Sequence, residues 1–187
     1  MRKFSFMAAM LIGLVMAFAS SSVAMIQSSA NEGAGAKRNN ASATFNYMLE
    51  QPNISRASNG DTVGVTGEGT FGVHPKSVSG GGAFTHTLAG GGTVSGTWTA
   101  DRLISFVPYG CGVIFGQPLP PDLCGGRMVT KVTLTPNGGT PVKGQLTISC
   151  LIGYPPPSAK EGIRLVVPGV ANFNKRVEGM NLYVKTS

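Results

Sequence analysis

Acidic residues are scarce in this chain of 187 residues, and their scarcity limits the chemistry that it can perform. Eight Asp and Glu stand against fifteen Lys and Arg, which gives a formal net charge of +7 at pH 7. No two carboxylates share a short motif. The sequence therefore lacks a visible pair of acids of the kind that glycoside hydrolysis uses.

Histidine is rarer still, since His74 and His86 are the only two in the chain. The sequence also contains no G-x-S-x-G elbow, no H-E-x-x-H motif and no phosphate-binding loop. We therefore expect a non-enzymatic protein with no cofactor and no metal ion. The alternative is a hydrolase or isomerase-like enzyme in which His74 or His86 works with a carboxylate from elsewhere in the fold.

Only one long apolar run is present, from Phe4 to Phe18, and the basic pair Arg2-Lys3 precedes it. This is the pattern of a secretory signal peptide. Small residues before the predicted cut favour cleavage after Ala24, and cleavage after Ala30 is the alternative. A membrane anchor fits the run less well, because a spanning helix needs roughly 20 apolar residues.

The chain divides into a signal peptide at 1–24, a flexible leader at 25–44 and a single β domain at 45–187. The leader is rich in Asn, Gly, Ala and Ser, a composition that buries too little apolar surface to become ordered. No later segment is apolar enough to predict a membrane span after signal cleavage. We expect a secreted or periplasmic, extracytoplasmic protein.

Three cysteines remain after removal of the signal, and an odd number leaves one unpaired in an oxidising compartment. Cys111 and Cys124 flank a segment rich in Gly and Pro, so we predict a disulfide between them. Cys150 ends an apolar alternation and is expected to be a buried, inert thiol. Pairing of Cys150 with either of the other two, or a nucleophilic role for it, remains open.

Glycine and proline are abundant, with 27 and 12 residues, and favour short strands joined by tight turns. Alternation of apolar and polar residues predicts strands at 63–73, 84–88, 94–100, 103–107, 128–134, 142–150, 163–167 and 182–184. The predicted connections include turns at 77–82, 90–92 and Asn137-Gly138-Gly139 and a long loop at 108–126. The pattern predicts an all-β fold, an antiparallel meander that closes into a small barrel, with a two-sheet β-sandwich as the alternative.

Three aromatic residues recur at intervals of about one strand and one turn: Phe71, Phe84 and Trp98 each follow a glycine and a small residue. They are expected to share the inner face of the meander. A barrel of about eight strands holds one small ligand. The leading hypothesis is therefore an exported barrel that binds a small apolar ligand or a surface partner, with these three rings, His74 and His86 as candidate ligand-binding residues.

Basic residues suggest a second hypothesis, a structural envelope-associated module that binds polyanions. After the signal, however, the cations stand singly except at Lys37-Arg38 and Lys175-Arg176, and no aromatic residues are interleaved with them. We interpret most of them as solvated surface and expect no nucleic-acid partner.

The segments 69–86 and 95–100 resemble a group of small exported all-β proteins to which no activity is attached. The tripeptide Gly96-Thr97-Trp98 is also similar to one in the ligand-binding barrels of the lipocalin and avidin kind, where it lies in the first strand. In the present chain it comes later. The first resemblance implies the architecture and adds no site residue.

Overall fold

Strands account for every regular element in the part of the chain that the computed structural model describes, residues 42–187. The predicted signal peptide at 1–24, and the predicted leader up to residue 41, lie outside the described residues. The strands are β1 (Thr44–Ala57), β2 (Thr62–Gly72), β3 (Ser77–Thr87), β4 (Thr93–Cys111), β5 (Val113–Ile114), β6 (Gln117–Pro118), β7 (Leu123–Pro136), β8 (Val142–Cys150), β9 (Gly162–Val167), β10 (Ala171–Glu178) and β11 (Asn181–Lys185).

Antiparallel pairing joins these strands into a ring. Going round it, β1, β2, β3, β4, β7, β8, β9 and β10 are successive neighbours, and β10 pairs again with β1. The ring is not a regular barrel, because β11 lies between the first half of β1 and the start of β7. The short strands β5 and β6 form a separate hairpin. The prediction of an all-β, antiparallel fold is confirmed.

Two connections differ from the prediction. The expected turn at 77–82 was wrong, because β3 begins at Ser77 and its glycines pair with β2, whereas the turn occupies residues 73–76. The expected loop at 108–126 is also shorter. Strand β4 runs without interruption to Cys111, past a register shift between Ala100 and Arg102, and β7 begins at Leu123. By contrast, the turn at Asn137-Gly138-Gly139 connects β7 to β8 as predicted.

Aromatic rings form the centre of the hydrophobic core. Phe71 lies between Phe45, Phe106 and Tyr183, with ring-centroid distances of 5.1, 4.8 and 5.6 Å respectively. Stacked, tilted and edge-on contacts of this kind add to the free energy gained by burying the rings. Phe71 and Tyr183 have almost no exposed surface, so this cluster fixes how β1, β2, β4 and β11 pack together.

Glycines in β2 and β3 allow other rings to lie against the sheet backbone. The hydroxyl of Tyr47 donates to the carbonyl of Ser79 at 3.2 Å and lies beside Gly69. A Cβ atom at Gly69 would lie 2.6 Å from that hydroxyl and would overlap the Ser79 carbonyl. Trp98 packs in the same way over Gly67, and its indole N–H donates to the carbonyl of Thr66 at 2.9 Å.

Substitution of Gly69 by alanine should therefore destabilise the protein by at least about 2 kcal/mol, because the added methyl group has no free space and no flexible neighbour to displace. Gly90→Ala is the matched control, since a Cβ atom there meets nothing within 4 Å. We expect Gly90→Ala to change stability by less than about 0.5 kcal/mol. Urea unfolding followed by Trp98 fluorescence measures both, and equal midpoints would contradict the packing argument.

Candidate functional site

The three aromatic residues predicted to bind a ligand lie in the core. Phe71, Phe84 and Trp98 are 1, 6 and 2% exposed. The Phe71 ring contacts other rings, and a Cβ atom at Gly96 would lie 2.8 Å from the Phe84 ring. Their contacts are therefore those of core side chains, and a ligand-binding role for them stays a prediction.

The two histidines are not brought together. His74 lies in the turn between β2 and β3, whereas His86 is near the other end of the hairpin, opposite Val63. Between residues 42 and 187, no three side chains of the His, Cys, Asp and Glu types gather where they could hold a metal ion.

His86 is instead part of a hydrogen-bonded link between β2 and the turn after β3. Its Nε2 atom lies 3.0 Å from Asp61 Oδ2, and the backbone N–H of Ala89 donates to Asp61 Oδ1 at 2.9 Å. The imidazole packs edge-on against Phe173. The bond from Ala89, and then the bond with His86, lower the pKa of Asp61 below its ordinary value.

The predicted disulfide is present between Cys111, at the end of β4, and Cys124, near the start of β7. Such a bond is compatible with an extracytoplasmic protein. Cys150 is free and buried as expected. Burial raises the pKa of its thiol to about 12, so at neutral pH it is protonated and poorly suited to act as a nucleophile.

The loop closed by the disulfide borders an apolar pocket of about 380 Å³. Phe115, at the tip of the β5–β6 hairpin, is 83% exposed and lines the pocket together with Met180 and Leu182. Asn181 also lines it, and its amide oxygen is buried without a hydrogen-bond partner among the described residues. None of the three predicted aromatic residues lines this pocket.

A cleft rich in arginine, with a volume of about 360 Å³, lies over outward-facing residues of β7, β8 and β9, and Arg176 of β10 also lines it. We call it the arginine cleft. Its lining contains four cations and, among the described residues, no carboxylate. The residues that line it are Tyr109, Arg127, Val129, Thr147, Ser149, Pro156, Ser158, Ala159, Lys160, Arg164 and Arg176.

The register of the strands brings these distant residues together. Arg127 on β7 pairs with Ser149 on β8, and Thr147 on β8 pairs with Arg164 on β9. The inward positions between them carry buried apolar side chains, which is the alternation of a sheet with one face on the core. The outward positions are therefore free to present polar groups.

The loop from residue 151 to residue 161 forms one wall of the cleft. The N–H of Gly153 donates to the carbonyl of Val113, and the N–H of Tyr154 donates to the carbonyl of Tyr109, at 2.7 and 2.6 Å. Glu161 joins the two ends of the loop, because its Oε2 accepts a bond from the N–H of Leu151 at 2.8 Å. The loop is thus held against β4 and β5 by backbone hydrogen bonds.

Arg176 is the most enclosed cation of the cleft. Its Nη2 atom donates to the hydroxyl of Ser149 at 2.9 Å, while its Nε atom is buried and has no partner within residues 42–187. Burial lowers the pKa of its guanidinium, and the positive charge of Arg164 lowers it further. A buried N–H without an acceptor costs free energy, so the position of this guanidinium is unfavourable within the described part of the chain.

No protein-family model, curated protein or solved structure matches this chain. No helix capable of crossing a bilayer occurs between residues 42 and 187.

Sequence reasoning missed the arginine cleft, since its cations are far apart in the chain and were interpreted as solvated surface. One signal was available on this face of the sheet: Lys131 and Lys143 occupy polar positions of the predicted strands 128–134 and 142–150, and Arg127 directly precedes the first of them. The partners from β9, β10 and the 151–161 loop could be placed beside them only with the strand order known.

The pKa of Asp61 gives a pH-dependent prediction for the Asp61–His86 link. The folded-state pKa is below the ordinary value of 3.8, so the ionised carboxylate stabilises the fold above that value, and this stabilisation is lost as the pH falls through the folded-state pKa. Wild type should therefore have a higher Tm than Asp61→Asn at about pH 6, and the two should converge below about pH 3. Asp122→Asn, at an exposed carboxylate, is the control; a Tm gap for Asp61→Asn that does not change with pH would contradict the assignment.

A second prediction concerns the wall of the arginine cleft. Gly153 has a φ of +88°, and a Cβ atom there would lie 2.6 Å from the carbonyl carbon of Tyr109. Gly153→Ala should displace the 151–161 loop and speed amide hydrogen exchange at Tyr154 at least tenfold. Gly169→Ala is the control, because Gly169 also has a positive φ, +76°, but faces open space. If both variants left exchange at Tyr154 unchanged, the loop would not depend on this close approach.

Proposed function

We propose that the protein is an exported, non-enzymatic module that binds an anionic ligand in the arginine cleft. The main support is that four cations line one concave surface whose lining, among the described residues, contains no carboxylate; they are Arg127, Arg164, Arg176 and Lys160. Like charges placed this close repel one another. A ligand of opposite charge would relieve the repulsion.

The side chains of the cleft suit an oxyanion. A guanidinium presents its donors in a planar fork that matches the oxygens of carboxylate, sulfate or phosphate groups. Arg176 is held in position by its bond to Ser149, so less side-chain entropy is lost when a ligand binds. The negative charge of Glu161 raises the pKa of Arg176. The two carboxylate oxygens of Glu161 already accept hydrogen bonds from the backbone N–H groups of Leu151 and Asn181.

Hydroxyl groups line the same cleft, at Thr147, Ser149 and Ser158. A hydroxyl both donates and accepts hydrogen bonds, so these residues suit a ligand that carries hydroxyls beside its charged groups. Tyr109 also lines the cleft. Together these features favour a charged, hydroxyl-rich ligand over a purely apolar one.

Export places such a module where anionic surface polymers are found. The signal peptide inferred from residues 1–24 and the disulfide between Cys111 and Cys124 both support an extracytoplasmic location. An anionic polymer at the cell surface would be both the surface partner of the first sequence hypothesis and the polyanion of the second.

Retention on immobilised heparin, a sulfated polysaccharide, tests the proposal. The variant R127Q/R164Q should elute at much lower salt than wild type, with affinity reduced about tenfold, because two charge-assisted contacts are lost. The control R56Q/K185Q removes the same charge from exposed positions on β1 and β11, outside the cleft, and should elute close to wild type. Equal elution of the two variants would show that only net charge matters, and the cleft would not be the site.

A further inference from the structure

The outer face of β7 and β8 continues beyond the arginine cleft in regular cross-strand rows. Arg127 pairs with Ser149 and Val129 with Thr147 in the first two rows, which line the cleft. In the third row Lys131 pairs with Gln145, and in the fourth Thr133 pairs with Lys143. Alternate residues on a strand lie on the same face about 7 Å apart, so these rows extend over about 20 Å.

A second groove, of about 440 Å³, occupies the third and fourth rows. Arg102, Lys131 and Lys143 line it, and Asp101 is its one carboxylate among the described residues. The carboxylate of Asp101 already has two partners: the hydroxyl of Thr133 donates to it at 2.8 Å, and Lys143 Nζ lies 3.2 Å from Oδ2. The groove therefore keeps an excess of positive charge next to the arginine cleft.

We infer that the arginine cleft and the second groove form one binding track for a linear anionic polysaccharide, an inference that rests on the proposed function. The first, third and fourth rows contain cations of their own, Arg127, Lys131 and Lys143. The second row gains a cation from β9, because Thr147 pairs with Arg164, and the third gains another from β4, because Lys131 pairs with Arg102. A single small anion would occupy one row. A chain with regularly repeated charges is the ligand that contacts cations in all four.

The polar residues between the cations favour a polysaccharide over a nucleic acid. Thr133, Gln145 and Thr147 each pair with a cation on a neighbouring strand, and their hydroxyl and amide groups suit sugar hydroxyls. Proteins that bind single-stranded nucleic acid use a series of aromatic side chains on which bases stack. Among the residues that line the two grooves, Tyr109 is the one aromatic side chain.

The experiment measures affinity by isothermal titration calorimetry for heparin oligosaccharides of defined length. A disaccharide should occupy the arginine cleft alone, whereas an octasaccharide should reach both grooves and bind at least tenfold more tightly at equal sulfate concentration. The variant K131Q/K143Q should weaken octasaccharide binding about tenfold and leave the disaccharide affinity unchanged. R127Q/R164Q should lower the affinity for both ligands, and R56Q/K185Q should lower neither affinity by more than about twofold.

Asp101→Asn provides a test with the opposite sign. Removing the carboxylate of the second groove should strengthen octasaccharide binding severalfold, an increase that misfolding cannot produce. The track is overturned if the two ligand lengths bind equally, or if K131Q/K143Q and Asp101→Asn leave octasaccharide affinity unchanged while R127Q/R164Q still lowers it. If R127Q/R164Q behaves like the control, the proposed function itself fails.

Single-stranded DNA of matched charge distinguishes the ligand class. The polysaccharide assignment predicts weaker binding of DNA than of the octasaccharide at every salt concentration. Tighter binding of DNA that depends on Lys131 and Lys143 would overturn the assignment and identify the track as a nucleic-acid surface.

Discussion

The pairing of β10 with β1 is the contact on which the rest of the fold depends, because it joins the last part of the ring to the first. Buried polar groups of β1 bond to residues on either side of β10 in the chain. The hydroxyl of Ser55 donates to the carbonyl of Ile163 on β9, and the amide of Asn53 lies 3.4 Å from the carbonyl of Met180. Without the junction β1 and β10 would each present an unpaired edge, and the arginine cleft would lose the strand that carries Arg176.

Glycine shows where sequence reasoning succeeded and where it failed. The turn at 137–139 was recognised because an Asn-Gly pair between alternating runs has one local interpretation. The glycines at 80–82 allowed two interpretations, because a residue without a side chain permits both a turn and the close approach of another group. In the structure these glycines permit close approach: β3 stays extended there, and Tyr47 and Trp98 pack close to β2 and β3 at this point. This choice depends on side chains from β1 and β4, which lie outside the glycine segment itself.

The candidate site was less predictable than the fold for a related reason. Periodicity along one strand identifies which positions face outward, and Arg127 and Lys131 on β7 satisfy that pattern. It does not reveal which strands are neighbours, so Arg164 and Arg176 could not be assigned to the same surface. Strand β10, which carries Arg176, was not predicted at all, because its polar residues dominate the segment and only Phe173 is buried.

Repulsion among the clustered cations destabilises the folded protein. Arg164 and Arg127 both lower the pKa of Arg176, which means that each disfavours the charged guanidinium nearby, although an arginine remains charged at neutral pH. The fold tolerates this repulsion because the aromatic core and the closed ring stabilise the strands independently of the outer face. A bound anion would offset the repulsion, so that ligand binding would also stabilise the folded state. This stabilisation would act on the 151–161 loop and on β8 to β10, the elements that surround the cleft, whereas the Asp61–His86 link lies outside its lining.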